Sequence, residues 1–474
     1  MAYVTAETFG EGPARRISAG LVRLALVYVW ITVASIGIVF SEPAPFDALM
    51  CGVIVLLPVM GMTPFTRGLS LYVMLWAAIV AGSYIASTQA SVIGEPATHT
   101  TITLYLALSS VVMAAFVAAR PEPHIRLIMS AYMVAAVIAA GAGLIGYFGL
   151  FGTYDLFTEY GRARGTFKDP NVMGAFLAPA VLYAFNMLLT ARLGRALLWA
   201  LPLPILLLAT LLTFSRGAWI NMVLSLGAYA FFIFATSPTN LRRLKLLVCI
   251  VLAGAVAVGI LAAAQNVPQV AELMGERATL EQSYDVGPEG RFGGQQKAVG
   301  LIVSHPLGIG ALEFARSYHP EDVHEVYLSM FLNGGWVGGT FYLALVLITL
   351  LLGLRTVIQD RSGSGLSTVL FAAFVGMALE GIVIDTDHWR HFYLLMAMIW
   401  GLALAPSPLG PMPGGKFSPC PWQADPDGAP TAPQPPRCIM GIIYLPIKRR
   451  RSGFKLEALT TGGMAAAGRC DAGR

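Results

Sequence analysis

ALLWALPLPILLLATLLTFSRGAWINMVLSLGAYAFFIFAT, residues 196–236, is a pair of apolar runs parted only by Ser215-Arg216-Gly217. Each run is close to the roughly 20 residues that an α-helix needs to cross the hydrocarbon core of a bilayer. No water is available there for backbone N–H and C=O groups, so a spanning run must be helical. The same reading applies at 20–40, 46–63, 69–88, 101–118, 126–149, 171–190, 196–213, 217–236, 245–264, 325–352, 367–384 and 390–406. Hydrophobic residues make up 56% of the 474 and charged residues 12%, about half the charge of a soluble domain. The expectation is an all-α, polytopic integral membrane protein with about 12 transmembrane helices. Its membrane domain would cover residues 1–406, and a Pro/Gly-rich tail, read as disordered and cytoplasmic, would cover 407–474.

The run from Leu21 to Phe40 is longer than a signal-peptide core and is expected to be retained. Cys51 and Cys249 fall inside apolar runs, and Cys420, Cys438 and Cys470 fall in the tail. That distribution argues against a disulfide framework or a cysteine zinc site. The formal charge of +5 follows topology and gives no reason to expect a nucleic-acid partner.

Basic residues set the orientation. Arg15, Arg16 and Arg23 place the N-terminus in the cytoplasm. Alternate connections then hold Arg67, Arg120 and Arg126, Arg192 and Arg195, Arg242, Arg243 and Lys245, and Arg355 and Arg361. The tail adds Lys448 to Arg451, where contact with anionic lipid and plain solvation are both open readings. The outside connections 41–45 and 89–100 carry no Lys or Arg. The outside cations are Arg162, Arg164, Lys168, Arg216, Arg277, Arg291, Lys297, Arg316 and Arg390. Solvation accounts for Arg277 and Arg316. It accounts less well for Arg216, because a cation between two spans costs a few kcal/mol unless it faces a cavity or a partner.

The outside segments carry the remaining signals. Residues 150–170 read as an interfacial loop in which Asp169 caps a helix and Pro170 starts it. Arg162, Arg164 and Lys168 precede that helix, where its dipole adds to their attraction for an anion. Residues 265–324 form the one long outside loop, with an amphipathic helix around 270–274 and another from Arg291 to about Ser304. His305-Pro306-Leu307-Gly308-Ile309-Gly310 is a sharp turn. His324 is suited to accept a proton near neutral pH, and reads equally well as an interfacial histidine without chemistry. Asp385-Thr386-Asp387-His388-Trp389-Arg390-His391 has the composition of a metal cluster, but a polar turn lining a cavity is the expected role. Gly334-Gly335-Trp336-Val337-Gly338-Gly339 reads as close helix packing without chemistry.

Taken in order, Arg164-Gly165-Thr166-Phe167-Lys168-Asp169-Pro170-Asn171, Ser215-Arg216-Gly217-Ala218, Arg291, His305 to Gly310, His324-Glu325-Val326-Tyr327-Leu328 and Gly334-Gly335 resemble the O-antigen ligase and polymerase family of bacterial envelope enzymes. The resemblance covers roughly residues 160–340 and departs from the family pattern at Glu325, where asparagine is frequent; a carboxylate there could orient His324. It implies a lipid-dependent glycosyltransferase architecture of the GT-C-like type in the inner membrane, with both termini cytoplasmic and a periplasmic active site. It implies an undecaprenyl-pyrophosphate-linked glycan donor, and lipid A–core (ligase) or another glycan unit (polymerase) as acceptor. Arg216 and Arg291 would hold the pyrophosphate and His324 would activate the acceptor hydroxyl. Arg162, Arg164, Lys168 and Asn171 would be weaker donor contacts. The reaction would be inverting, without a metal or cofactor. Rival readings are a transporter of lipid-linked sugars and a non-catalytic scaffold of an export complex. The sequence lacks the internal repeat that transporters tend to carry.

Overall fold

The structure is a computed structural model, and it describes residues 18–405 apart from 238, 267, 278–286 and 361. The tail, Arg15, Arg16, Cys420, Cys438 and Cys470 lie outside the described residues. A helix stands at each of the twelve apolar runs. Among the described residues, seven helices are long and apolar enough to cross a membrane: Arg67–Ser87, Gly94–Ala119, Pro121–Tyr147, Pro170–Thr190, Gly194–Leu212, Arg216–Thr236 and Val326–Gln359. Shorter apolar helices cover Ala19–Ala34, Pro45–Val59, Leu366–Glu380 and Arg390–Leu404. Asn240–Ala264 is a further helix of 25 residues. The chain is therefore a helical, polytopic membrane protein.

Burial follows sequence. Pro170–Thr190 is apolar on every side and nearly every residue in it is buried, as expected of a helix enclosed by others. Tyr132 from a neighbouring helix donates to the Phe176 carbonyl at 2.7 Å, satisfying a hydroxyl in the interior. Arg216–Thr236 buries only one flank and keeps Val223 and Phe231 exposed, which suits a lipid-facing surface. Arg67–Ser87 and Val326–Gln359 pack closely, because a Cβ at Gly82 would lie 2.6 Å from the Gly334 carbonyl oxygen. The small-residue reading of Gly334 and Gly338 thus holds.

The connections sort into two sets. In the first, Val39 N donates to Thr166 O at 2.8 Å and Val326 N to Gly381 O at 2.9 Å. Ser91 Oγ donates to Glu313 at 2.9 Å, and Arg390 meets Asp47 at 2.7 Å. In the second, Asn186 donates to Ser364 O at 2.9 Å, and the Arg242 guanidinium lies beside Gly365.

The long connection behaves as its sequence suggests. Helices form at Pro268–Arg277 and Arg291–Ser304. The His305–Gly310 turn then docks into a break in the Val326–Gln359 helix at Gly335, where φ is 64° and ψ −168°. A Cβ there would meet the Leu307 carbonyl carbon at 2.6 Å, so only glycine fits. Ile309 N donates to Leu332 O at 2.8 Å and Trp336 N to Pro306 O at 2.9 Å. Gly335 was expected only to ease packing; it also locks the outer loop to the helix that follows His324.

Candidate functional site

Ser215 caps the Arg216–Thr236 helix by accepting from Ala218 N at 3.3 Å. Arg216 is therefore the first helical residue, at the positive end of the dipole. The turn before it is gripped from outside the helix. Arg162 donates from Nε to Thr213 O at 2.7 Å and from NH2 to Asn171 Oδ1 at 2.7 Å. Asn171 itself donates its backbone N–H to Asp169, as an N-cap requires.

Arg162 is held in place by a feature absent from the sequence reading. Thr158–Glu159 pairs antiparallel with Arg162–Ala163. Tyr160 and Gly161 both have positive φ, the signature of a tight hairpin turn. The segment read as an irregular loop is thus a short hairpin. The Tyr-Gly doublet was its one signal, and strands of two residues give no alternation to detect.

Arg291 opens its helix and donates to the carbonyl of His324 at 3.2 Å. His324 Nε2 lies 3.3 Å from Glu321 Oε2, with both side chains well exposed. The carboxylate that meets this imidazole is therefore Glu321, not Glu325. Glu325 has extended backbone as the residue before the Val326–Gln359 helix, and burial raises its carboxyl above the usual range.

The Leu366–Glu380 helix lies between the start of the Arg216–Thr236 helix and that of the Val326–Gln359 helix. Val326 N bonds to Gly381 O, next to Glu380. A Cβ on Gly217 would lie 3.1 Å from Glu380 Oε1. Glu380 is 2% exposed and accepts from Asn221 Nδ2 at 2.6 Å. Backbone and side-chain contacts thus connect the starts of the Arg216 and Val326 helices. Glu380 and Asn221 were not singled out from the sequence, because a lone acid in an apolar run carries no motif.

The other candidates separate. Arg164 pairs with Glu159 at 3.7 Å inside its own hairpin. Lys168 pairs with Glu42 at 3.3 Å, in a network that includes Arg390 and Asp47. Arg316 pairs with Glu95, and Lys297 donates to Tyr318 O.

The Asp385–His391 turn meets a partner from elsewhere in the chain. His99 Nε2 lies 3.3 Å from Asp387 Oδ2, and the His99 and His388 rings stack at 4.0 Å. Burial acts to raise the Asp387 carboxyl, but the two imidazoles and Asp385 outweigh it and hold Asp387 low. Burial and the Asp387 charge push the Asp385 carboxyl up. A cavity of about 30 Å³ lies alongside, lined by His99, Asp385, Ser329 and Asn333 together with Asp322 and Val323 from the loop that carries His324.

The described residues form a polytopic helical bundle with Arg216, Arg291 and His324 at or beside loop–helix junctions. Residues 201–343 match the family model described as O-antigen ligase. Over that segment the chain is similar to the O-antigen ligase family. The matched segment contains Arg216, Arg291, the His305–Gly310 turn, His324 and Gly335, and leaves out the 158–171 hairpin region and the 385–391 turn. No curated protein matches the chain.

Proposed function

We propose that the protein transfers a glycan from an undecaprenyl-pyrophosphate donor to an acceptor hydroxyl at the periplasmic face of the bacterial inner membrane. The observation that carries this reading is the hydrogen bond from Arg291 to the main-chain carbonyl of His324, which brings a cation beside the proposed base. That pair is connected through Gly381 and Glu380 to the start of the Arg216 helix.

His324 accepts the proton of the acceptor hydroxyl. The freed oxygen attacks the anomeric carbon from the face opposite the pyrophosphate. The bond from that carbon to the pyrophosphate oxygen breaks, giving an inverted linkage and undecaprenyl pyrophosphate. Arg216 and Arg291 take up the charge that develops on the leaving group; their guanidinium forks match phosphate oxygens and stay charged at any working pH. No metal is needed at the reacting atoms. Arg162 and Asn171 position the Arg216 turn, while Arg164 and Lys168 are outlying donor contacts. Twelve crossings with both termini cytoplasmic are supported by the alternation of basic residues, and a GT-C-like architecture by the similarity to the O-antigen ligase family.

Lipid A–core is the proposed acceptor, and a second lipid-linked glycan would make the enzyme a polymerase. The test uses membranes supplied with lipid-linked glycan, with and without lipid A–core. Glycan on lipid A–core supports the ligase, and a ladder of longer lipid-linked chains supports the polymerase. Movement of intact lipid-linked glycan with no new bond would leave a transporter and overturn the proposal.

A further inference from the structure

We propose that His99, Asp387 and His388 form a binding site for one divalent transition ion, zinc being the ion that this donor set suits best. The three residues come from two separate parts of the chain. His99 lies near the start of the Gly94–Ala119 helix, and Asp387 and His388 lie in the turn between Leu366–Glu380 and Arg390–Leu404. The sequence reading treated that turn as polar lining, because the third donor is far away in the chain.

The geometry favours an ion over a surface ion pair. One donor atom from each residue lies within 4.8 Å of the others. Zinc bonds of about 2.0–2.1 Å in a tetrahedron separate the donor atoms by roughly 3.3 Å. Asp387 Oδ2 is 3.3 Å from His99 Nε2 and 3.9 Å from His388 Nε2. His388 must move closer to close the set, exchanging its 3.0 Å contact with Thr103 Oγ1 for the ion. Two imidazoles and a carboxylate are borderline donors that zinc accepts readily, as do other late divalent ions.

Charge and space agree. The Nε2 atoms of His99 and His388 both lie within 4 Å of one Asp387 carboxylate oxygen, at 3.3 and 3.9 Å. Arg390, three residues further on, is already engaged bidentately by Asp47 at 2.7 and 2.8 Å. A cavity of about 30 Å³ with His99 in its wall is large enough for a water molecule. The ion would join the Gly94–Ala119 helix to the 381–389 turn. Asp322 and Val323 line the same cavity, so it would brace the floor beneath His324 without touching the reacting atoms.

The experiment uses the full-length chain, purified in detergent without chelator and without a histidine tag. Metal content is measured by mass spectrometry for wild type, His99→Gln and Asp387→Asn, each checked for an unchanged elution profile. Wild type should hold about one zinc per chain, and each variant a small fraction of that. Wild type stripped of metal and titrated with cobalt should develop the visible absorption of a four-coordinate nitrogen–oxygen site. That readout needs no variant, so it stands even if both variants misfold. Variants that keep the wild-type metal content would overturn the site, as would wild type that binds no zinc and gives no cobalt band. The cluster would then be a hydrogen-bonded His-Asp-His stack.

Discussion

Gly335→Ala should loosen the outer loop from the bundle. At φ 64° and ψ −168° the position lies in a region open to glycine alone, and another residue there costs about 1–3 kcal/mol. The new Cβ would also sit 2.6–2.8 Å from the carbonyl atoms of Pro306 and Leu307. These are backbone atoms that cannot rotate away, and such overpacking costs about 1–3 kcal/mol more. The combined penalty of about 2–6 kcal/mol falls on the docking of the His305–Gly310 turn. Even the lower bound is a ~30-fold gain in opening. Hydrogen exchange reads this at Ile309 and Gly310, whose amides donate to Leu332 O at 2.8 and 3.2 Å. Gly300→Ala is the matched control. It lies in the Arg291–Ser304 helix with no atom within 4 Å of the added carbon, and should stabilise that helix by about 0.5–1 kcal/mol. Protection at 309 and 310 that is equal in the two variants would refute the docking argument.

Three further outcomes are expected. Arg162→Ala removes two charge-assisted bonds to Thr213 and Asn171, each worth about 1.5–3 kcal/mol. Transfer should fall in steady-state assays, and Arg162→Lys should not restore it, because an ammonium cannot span both acceptors. Asn221→Ala strips the donor from buried Glu380 and should lower the melting temperature, at a cost of about 1–3 kcal/mol. Adding Glu380→Leu should recover part of that loss, and a double variant worse than the single would contradict the reasoning. Glu325 has its carboxyl raised by burial. Its protonated form is favoured in the fold, so its stabilisation is complete below about pH 4.5 and fades as pH rises through its folded value. Glu325→Gln should therefore match wild type in acid and melt higher near neutrality. Parallel melting curves across that range would count against the assignment.

Much of the architecture was readable from sequence because bilayer thickness fixes helix length. The Arg291–Ser304 helix and the Asp169 cap were equally legible, since their signals are local. What the sequence hid is tertiary. The partner of His324 is Glu321, three residues before it, and nothing in the order of residues favours that carboxylate over Glu325. His99 joins Asp387 and His388 only because two distant connections fold to one end of the bundle. Gly335 looks like any small residue at a helix interface until its backbone breaks the helix. Arg164 and Lys168 belong to one motif in sequence yet pair with different acids, because the hairpin turns one back on itself and leaves the other beside Glu42.

The central claim is that Arg216, Arg291 and His324 act as one site. It is tested most directly by the rate of glycan transfer in membranes carrying wild type, Arg216→Ala, Arg291→Ala, His324→Ala and the double variant Arg291→Ala/His324→Ala, at equal insertion. The account predicts a loss of about 10²-fold or more for each single variant. It predicts that the double variant loses little beyond its worse parent, because residues that work as a unit are not additive. Single variants that transfer glycan at the wild-type rate, or losses that simply multiply in the double variant, would contradict it.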